Sequence, residues 1–348
     1  MPKHRIYAFS KYLGYAVGGA ERSVFAILRE RQAEGHPITL LRVEGLTTFG
    51  ADRVRMDIPA GWEVRSLTLP VDRIRPKFLT CWRNRAHVIA TLAGIEPDGE
   101  LYTYGLYAPA AVLGYRGPSL YMVRDEVGLG WDINYQHGLR WIAAAVLRTA
   151  DAPWRQLWLT DLRACLRRSR LLTNSRFMAA ELSRLAGGRE VEIVPPAIDA
   201  ERLRRDFAAA RWAGPQGVVA VGDEPLKGAH LVRAAARALP EIPFYLFDRR
   251  YTAPIRQGNL TLMPWQTDPT VVYRAARLVI VPSQWHEANP RMVREALVLG
   301  IPVLGSRRGG IPESLDEHPQ WIIDDYRSAA AWTKAIRQTL TTAATTDT

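Results

Sequence analysis

The residues with the clearest chemical potential are two glutamates late in the chain, Glu287 and Glu295, in the stretch HEANPRMVREA. Asn289 is a good helix N-cap and Pro290 is favoured at the first helical position, so a helix is predicted to begin between the glutamates. Glu287 then lies in the preceding loop and Glu295 in the second turn. Carboxylates accept hydrogen bonds from vicinal hydroxyls, and helix N-termini attract anions. The pair fits either a ligand bearing hydroxyls and phosphate or surface acids on an amphipathic helix.

A lysine follows another predicted strand in the same way. In VAVGDEPLKGAHL (219–231) the strand ends at Gly222, a loop follows, and Lys227 stands at the start of a helix. A lysine beside a helix N-terminus at the carboxyl end of a strand is well placed to bind phosphate. For the isolated motif, an exposed first-turn lysine without a role is the simpler interpretation.

Two glycine-rich turns complete the set of candidate motifs. YLGYAVGGAERS (12–23) follows the first predicted strand, and its paired Gly18 and Gly19 allow the backbone to approach a ligand. Its spacing is neither GxGxxG nor GxxxxGK[ST], so it carries no dinucleotide or P-loop fingerprint, and an ordinary turn also fits. SRRGGIPESL (306–315) leads into a helix with Glu313 in its first turn.

The elements that position these residues are short apolar runs alternating with amphipathic stretches. Such alternation favours βαβ units and mostly parallel sheets. Strands are predicted at 5–10, 37–43, 100–105, 119–125, 170–175, 191–198, 217–222, 243–248, 259–265 and 301–306. Because the pattern restarts near residue 217, we expect an α/β protein of two Rossmann-like, doubly wound domains with an interdomain cleft. Ligands meet such sheets at the carboxyl ends of the strands.

The predicted domain boundaries follow from this restart. We expect domains at 1–205 and 206–330, joined by the linker DAERLRRDFAAARWAGPQG (199–217). Residues 331–348 are expected to form a helix or tail that packs back on the first domain.

Composition limits the class of protein. Cys81 and Cys165 form no CxxC pair, which is typical of a reducing compartment. The basic N-terminus lacks an apolar run, and no stretch of about 18 apolar residues occurs, so neither a signal peptide nor a membrane span is predicted. No convincing metal-ligand cluster and no nucleic-acid-binding module are found. Residues 1–205 hold 30 of the 46 basic and 21 of the 35 acidic residues, so most of the net charge of +11 lies there. This excess fits either an anionic partner or a solubilising surface.

Taken together and in order, the motifs resemble those of the retaining glycosyltransferases of family 4, which have the GT-B fold. The Glu287-x7-Glu295 spacing matches the EX7E signature of that family. The resemblance covers most of the chain and is strongest after residue 170. The matching segments are GGAE (18–21), NSRFMAAEL with VPPAID (174–199), VAVGDEPLKG (219–228), ARLVIVPSQWHE (276–287), EALVLGIPVLGS (295–306) and GGIPE (309–313).

The resemblance implies a metal-independent hexosyl transfer from a nucleotide-diphosphate sugar, which binds the second domain without a further cofactor, to an acceptor on the first. Glu287, Arg124 and Lys227 would serve catalysis, with Glu287 facing the donor sugar and Lys227 the diphosphate. Glu295 would bind the ribose. Further donor contacts are implied for Gly18, Gly19, Gly222, Met263, Pro264, Trp265, Asn289, Arg291, Met292 and Val293.

The chain departs from the family pattern at two points. Asp223 and Glu224 stand where an arginine usually helps to bind the diphosphate, and Arg291 is the candidate to compensate. Arg124 and Asp125 stand where many members carry a histidine; an arginine cannot act as a base but can stabilise phosphate charge. These departures keep two alternatives open: a non-catalytic binding or scaffold subunit, and a GT-B sugar-nucleotide epimerase or phosphorylase.

The acceptor class stays open among glycans, lipid-linked sugars and small molecules. DRIRPKFLTCWRNRAH (72–87) and WRQLWLTDLRACLRRSR (154–170) combine arginine, tryptophan and leucine. Such stretches fit either an anionic membrane surface or core-packed helices with solvated arginines. We therefore expect a cytoplasmic protein with possible peripheral contact at the inner membrane surface, and no nucleic-acid partner.

Overall fold

A computed structural model of the chain describes residues 3–15, 19–47, 55–72, 76–266 and 268–346, with the side chains of the last helix described through residue 342. The contacts divide it into two compact units. The first comprises Met1–Asn134 and Gly138–Ala197, and the second comprises Tyr135–His137 and Ile198–Thr348. The division therefore falls eight residues before the predicted boundary at 205.

The first unit is built on a parallel sheet in the order β3-β2-β1-β4-β5-β6-β7. Its strands are β1 Arg5–Phe9, β2 Ile38–Glu44, β3 Glu63–Thr68, β4 Gly99–Tyr104, β5 Ser119–Met122, β6 Arg170–Thr173 and β7 Glu192–Ile193. Its helices are α1 Gly19–Ala33, α2 Lys77–Ala93, α3 Ala108–Gly114, α4 Leu139–Arg168 and α5 Arg176–Leu185. The central strands β4 and β5 are buried throughout, as expected for a parallel sheet covered on both faces.

The second unit repeats this plan with the order β10-β11-β9-β8-β12-β13-β14, in which β10 alone of the described strands pairs antiparallel. Its strands are β8 Gly217–Val221, β9 Phe244–Asp248, β10 Ile255–Gln257, β11 Leu260–Pro264, β12 Ala276–Val281, β13 Val303–Ser306 and β14 Ile322–Ile323. Its helices are α6 Ala200–Ala209, α7 Ala229–Ala238, α8 Pro269–Arg274, α9 Arg291–Val298, α10 Ile311–Ser314 and α11 Ala329–Thr346, with 3-10 turns at Pro225–Lys227 and Pro319–Trp321. The prediction of two parallel α/β sheets is confirmed.

The predicted packing of the C-terminal helix is wrong. Helix α11 packs against α7, β12 and β14 of the second unit. Trp332, Ile336 and Leu340 of this helix belong to the apolar core of that unit. Their spacing of four residues places them on one side of the helix, and burying that stripe next to the adjoining sheet fixes its position.

The predicted linker is also largely wrong, because most of it forms α6. Asp199 caps this helix by accepting a hydrogen bond from the Arg202 amide at 2.9 Å. The helix packs against α8 and α9, and the Arg274 guanidinium stands 4.7 Å from the centre of the Phe207 ring. Most charged side chains of this stretch lie on the exposed side of a packed helix.

Among the described residues, no helix has both the length and the apolar character needed to cross a bilayer.

Candidate functional site in the second unit

Two loops meet at the carboxyl ends of the central strands of the second sheet. Because β8 and β12 pair in parallel, the turn Pro225–Lys227 after β8 lies beside the loop after β12. The Gln284 amide donates to the Leu226 carbonyl at 2.8 Å. Since β9 and β12 lie on opposite sides of β8, this is the point at which the order of the sheet reverses, where such sheets bind ligands.

Lys227 and Glu287 form an ion pair in these loops. The Lys227 Nζ donates to Glu287 Oε1 at 2.5 Å, and Ser283 Oγ donates to the same oxygen at 2.8 Å. The Lys227 ammonium also stands 4.8 Å from the centre of the Trp285 ring. Burial by itself would raise the pKa of the Glu287 carboxyl, but the charge and hydrogen bond of Lys227 outweigh it and lower the pKa. Glu287 is thus held ionised beside a cation.

Glu295 lies in a different environment, on α9. Its buried carboxylate accepts a hydrogen bond from Tyr273 Oη at 2.6 Å. On its other oxygen it forms an ion pair with Arg291, one turn earlier, at 2.9 Å. Arg291, the candidate to compensate at the diphosphate, is therefore engaged with Glu295. A carboxylate has about four lone-pair positions, so Glu295 can still accept hydroxyl donors.

The Gly-Gly turn of 306–315 closes the site from the next loop. The Gly310 amide donates to the Glu287 carbonyl at 2.7 Å. Gly309 has a φ of +56°, and a Cβ there would stand 2.2 Å from the same carbonyl oxygen. A glycine is required at this position for both reasons. Two of the predicted motifs are thereby brought together.

The start of α9 corrects one prediction. Asn289 is not the N-cap; Pro290 occupies that position with extended backbone, and the helix begins at Arg291. The amide oxygen of the buried Asn289 accepts a hydrogen bond from Ser314 Oγ at 3.2 Å, which ties it to α10 instead. Of the neighbouring predicted donor contacts, Val293 is buried and Met292 is partly buried against the same core.

The predicted base-binding stretch lies at the same edge of the sheet. Met263 and Pro264 end β11, which pairs in parallel with β9, and Trp265 follows the strand. The guanidinium of Arg249, just after β9, stands 4.8 Å from the centre of the Trp265 ring. The partly buried Trp265 ring therefore lies at the same carboxyl edge of the sheet as Lys227.

Asp223 does not present an unpaired negative charge. Arg233 of α7 binds both of its carboxylate oxygens, and Tyr251 donates to one of them. Burial opposes ionisation, but these partners lower the pKa of Asp223. Arg250 is a further guanidinium 3.7 Å away. Arginines from α7 and from the loop after β9 therefore neutralise the negative charge of Asp223.

The turn that carries Lys227 lies very close to the end of β12. One added methyl group at Gly228 is therefore predicted to lower stability strongly. Gly228 has a φ of +74°, and a Cβ there would stand 2.0 Å from the Pro282 carbonyl oxygen. We expect Gly228→Ala to lower the free energy of unfolding by about 3 kcal/mol or more, measured by urea denaturation. Gly300→Ala is the matched control, since Gly300 has a φ of +70° with nothing within 4 Å. It should cost only about 1–2 kcal/mol, and equal losses would contradict the prediction.

In the first unit, the described residues among the remaining predictions are Gly19, after β1, and Arg124, after β5. Gly19 is the first residue of α1, Arg124 follows β5, and Gly18 falls outside the described residues. Tyr104 Oη donates to the buried Glu21 at 3.3 Å. Burial and the Glu21 charge raise the pKa of Tyr104, and the Arg124 charge acts in the opposite direction. Arg124 therefore lies in a polar cluster with Glu21 and Tyr104.

Sequence analysis missed four residues that shape these clusters. Ser283 and Trp285 surround the Lys227–Glu287 pair, Tyr273 binds Glu295, and Glu21 binds Tyr104. Ser283 and Glu287 are four residues apart in one quoted motif, so a contact between them within one loop could be predicted from the sequence. Tyr273 gives no such signal, because its contact depends on how α8 meets α9.

No group of three or more histidine, cysteine, aspartate or glutamate side chains suited to a metal ion occurs within the described ranges. The second unit instead gathers an ionised acid, a lysine, backbone amides and an aromatic ring at one edge of a sheet.

The chain is similar to known glycosyltransferases in sequence. Residues 257–346 match the family model for glycosyl transferases group 1. The D-inositol 3-phosphate glycosyltransferase of Segniliparus rotundus is 26% identical over 249 residues, which are 63% of this chain and 55% of that protein. The chain thus spans about half the length of the curated relatives it matches.

Solved structures share the fold at low sequence identity. Sucrose-phosphate synthase from Thermosynechococcus elongatus has a TM-score of 0.69 at 16% identity, covering 97% of this chain and 90% of that chain. Anabaena HepE in complex with UDP and glucose has a TM-score of 0.58 at 17% identity, covering 89% and 82%. The chain is thus similar to group 1 glycosyltransferases over residues 257–346 and shares the GT-B fold of the solved structures, and together these similarities support a GT4-like glycosyltransferase.

Proposed function

We propose that the protein is a retaining, metal-independent hexosyltransferase that uses a nucleotide-diphosphate sugar and needs no further cofactor. The observation that carries this proposal is the Lys227–Glu287 pair at the reversal point of the second sheet. An ammonium has three N–H donors, so Lys227 can keep its bond to Glu287 and still donate to a phosphate oxygen. Glu287 would face the donor sugar.

The proposed reaction places charges where these groups can stabilise them. The bond from the anomeric carbon to the diphosphate oxygen breaks, and the acceptor oxygen bonds to that carbon on the same face. The acceptor proton passes to the departing phosphate. Positive charge develops on the sugar near the Glu287 carboxylate and negative charge on the diphosphate near Lys227. Preorganised charges of this kind lower the barrier most when water is excluded.

Different observations support the proposed donor and the proposed acceptor. The HepE structure contains UDP and glucose, which makes a UDP-sugar the first donor to test here. Met263–Trp265 would lie beside the base, and Glu295 would bind the ribose. The curated relatives are named for an inositol phosphate, and the basic excess of residues 1–205 suits an acceptor that carries phosphate. Arg124 would stabilise phosphate charge from the first unit.

The test is calorimetry and product analysis with UDP-, GDP-, ADP- and dTDP-sugars, with and without inositol phosphate. Binding of one donor and transfer with retained anomeric configuration would support the proposal. Absence of both binding and turnover across the donors would reject the enzyme and favour a scaffold role. Conversion of a donor without any acceptor would favour the epimerase alternative.

Glu295→Ala is expected to weaken binding of the best nucleotide by about 10- to 100-fold, because hydrogen bonds to a charged group contribute about 1.5–3 kcal/mol. Calorimetry with the nucleoside diphosphate measures this loss. Exposed Glu241 in the same unit provides the matched control, Glu241→Ala, which should bind normally.

A second variant separates a direct contact from a positioning effect. Tyr273→Phe removes the buried partner of Glu295 but keeps the carboxylate. We expect a loss of affinity well below that of Glu295→Ala. Unchanged affinity in Glu295→Ala would remove Glu295 from the ribose site, and an equal loss in Tyr273→Phe would make its role one of support.

A further inference from the structure

The outward side of α4 carries an apolar stripe. Positions 139, 142, 146, 153 and 157 are three, four, seven and four residues apart, so a helix of 3.6 residues per turn places them on one side. Leu139 is 85% exposed, Ile142 54%, Val146 64% and Leu157 42%. The stripe is about 27 Å long at 1.5 Å per residue. Contiguous exposed apolar surface of this size marks an interaction site.

The opposite side of α4 packs against the rest of the first unit. Asp151, Trp158, Leu162 and Cys165 are buried at helical spacing. Trp158 Nε1 donates to the Leu106 carbonyl at 2.7 Å. The stretch 154–170, which fitted either a membrane surface or a core-packed helix, therefore turns much of its apolar content inward. The exposed apolar surface belongs mainly to the preceding half of the helix.

The charges of α4 specify the partner. The helix contains six arginines and two aspartates, and both aspartates are engaged with α2. Asp151 accepts from the Phe78 and Leu79 amides at 2.9 and 3.0 Å, and Asp161 forms an ion pair with Arg85 at 2.6 Å. The exposed Arg140 and Arg167 stand near the two ends of the helix. An apolar stripe on a helix with this excess of arginine fits anionic lipid.

We propose that this outward side of α4 binds the surface of an anionic phospholipid bilayer, with the stripe Leu139–Leu157 in the headgroup region. A second copy of the chain suits the surface less well. A two-fold interface would place the same basic helix against itself, while its two acids are already engaged. The proposal does not depend on the donor or the acceptor.

The test is co-sedimentation of the full chain with vesicles, without nucleotide or acceptor. We expect the protein to pellet with vesicles of equimolar phosphatidylcholine and phosphatidylglycerol, and to remain in solution with phosphatidylcholine alone. Added salt should reduce pelleting because it screens the arginines. A protein that stays in solution with both vesicle types, or pellets equally with both, would overturn the proposal.

Variants locate the contact on α4. I142E/V146E should lower the partition coefficient by more than about tenfold, since two apolar side chains are replaced by anions. R140Q/R167Q should lower it by about tenfold or more, from roughly 1 kcal/mol for each arginine. Ile255→Glu is the matched control, because Ile255 is 48% exposed on β10 of the second unit. It should bind vesicles as the wild type does.

These changes lie at exposed positions, so thermal unfolding midpoints should stay close to that of the wild type, which excludes misfolding as a cause. Vesicle binding by I142E/V146E equal to that of Ile255→Glu would overturn the proposal. Sedimentation velocity without vesicles tests the alternative that a second copy of the chain binds this surface. A dimer that I142E/V146E dissociates, in a protein that does not bind vesicles, would assign the surface to a second copy.

Discussion

Lys227→Met is expected to slow cleavage of the best nucleotide sugar into sugar and nucleoside diphosphate by about 10²–10³-fold. This is the usual effect of removing one preorganised hydrogen-bond donor to developing negative charge. Lys227 is only partly exposed, and it already stands at a fixed position because Glu287 and the Trp285 ring hold its ammonium. It therefore needs little reorganisation when the diphosphate gains charge. Steady-state kinetics measures the change in turnover, and calorimetry with the same nucleotide sugar measures the change in affinity.

The control for this prediction is a lysine of the same unit. Lys334 is exposed on α11, so Lys334→Met should leave both turnover and affinity unchanged. Lys227→Arg keeps the charge but changes its shape, and we expect intermediate activity. If Lys227→Met turned over the donor as fast as Lys334→Met, Lys227 would have no role at the diphosphate, even if the protein were a transferase.

The fold was largely predictable because a buried parallel strand has a strong local signature. β1, β4, β8 and β9 are apolar runs between turns, and each was predicted. The edge strands β3 and β10 were missed because their side chains are mostly exposed and show no apolar run. Helix α4 was recognised only in part, since Pro153 interrupts its pattern and both of its sides carry apolar residues.

The candidate site was predictable as a set of motifs but not as a set of contacts. The EX7E spacing identifies Glu287 and Glu295, yet it suggests that they act as neighbours. The structure gives them separate partners: Lys227, 60 positions away in sequence, and Tyr273 on α8. These pairings depend on which strands are adjacent and on how helices pack. A linear pattern does not specify either.

The Glu287→Gln variant tests how much the Lys227–Glu287 ion pair contributes to the free energy of unfolding. At pH 7 we expect a loss of about 2 kcal/mol in the free energy of unfolding, because the partly buried Lys227 loses its counter-charge. The pKa of Glu287 in the folded protein lies below its ordinary value of 4.5. Its contribution is therefore complete above about pH 4.5 and is lost as pH falls through the folded pKa. The wild type and Glu287→Gln should converge in stability below that pH.

Urea denaturation at pH 7 and at pH 3.5, about one unit below the ordinary carboxyl pKa, should show a smaller stability difference between the two proteins at the lower pH. Glu241→Gln, at an exposed position, should change stability little at either pH. The double variant K227M/E287Q completes a cycle in which the two losses should not add, because contacting residues couple by about 0.5–3 kcal/mol. Additive losses, or a stability difference independent of pH, would mean that the 2.5 Å contact contributes no net ion pairing. In that case Glu287 would be retained for the ligand and not for the fold, and any loss of activity measured in Glu287→Gln would have to come from chemistry at the donor sugar.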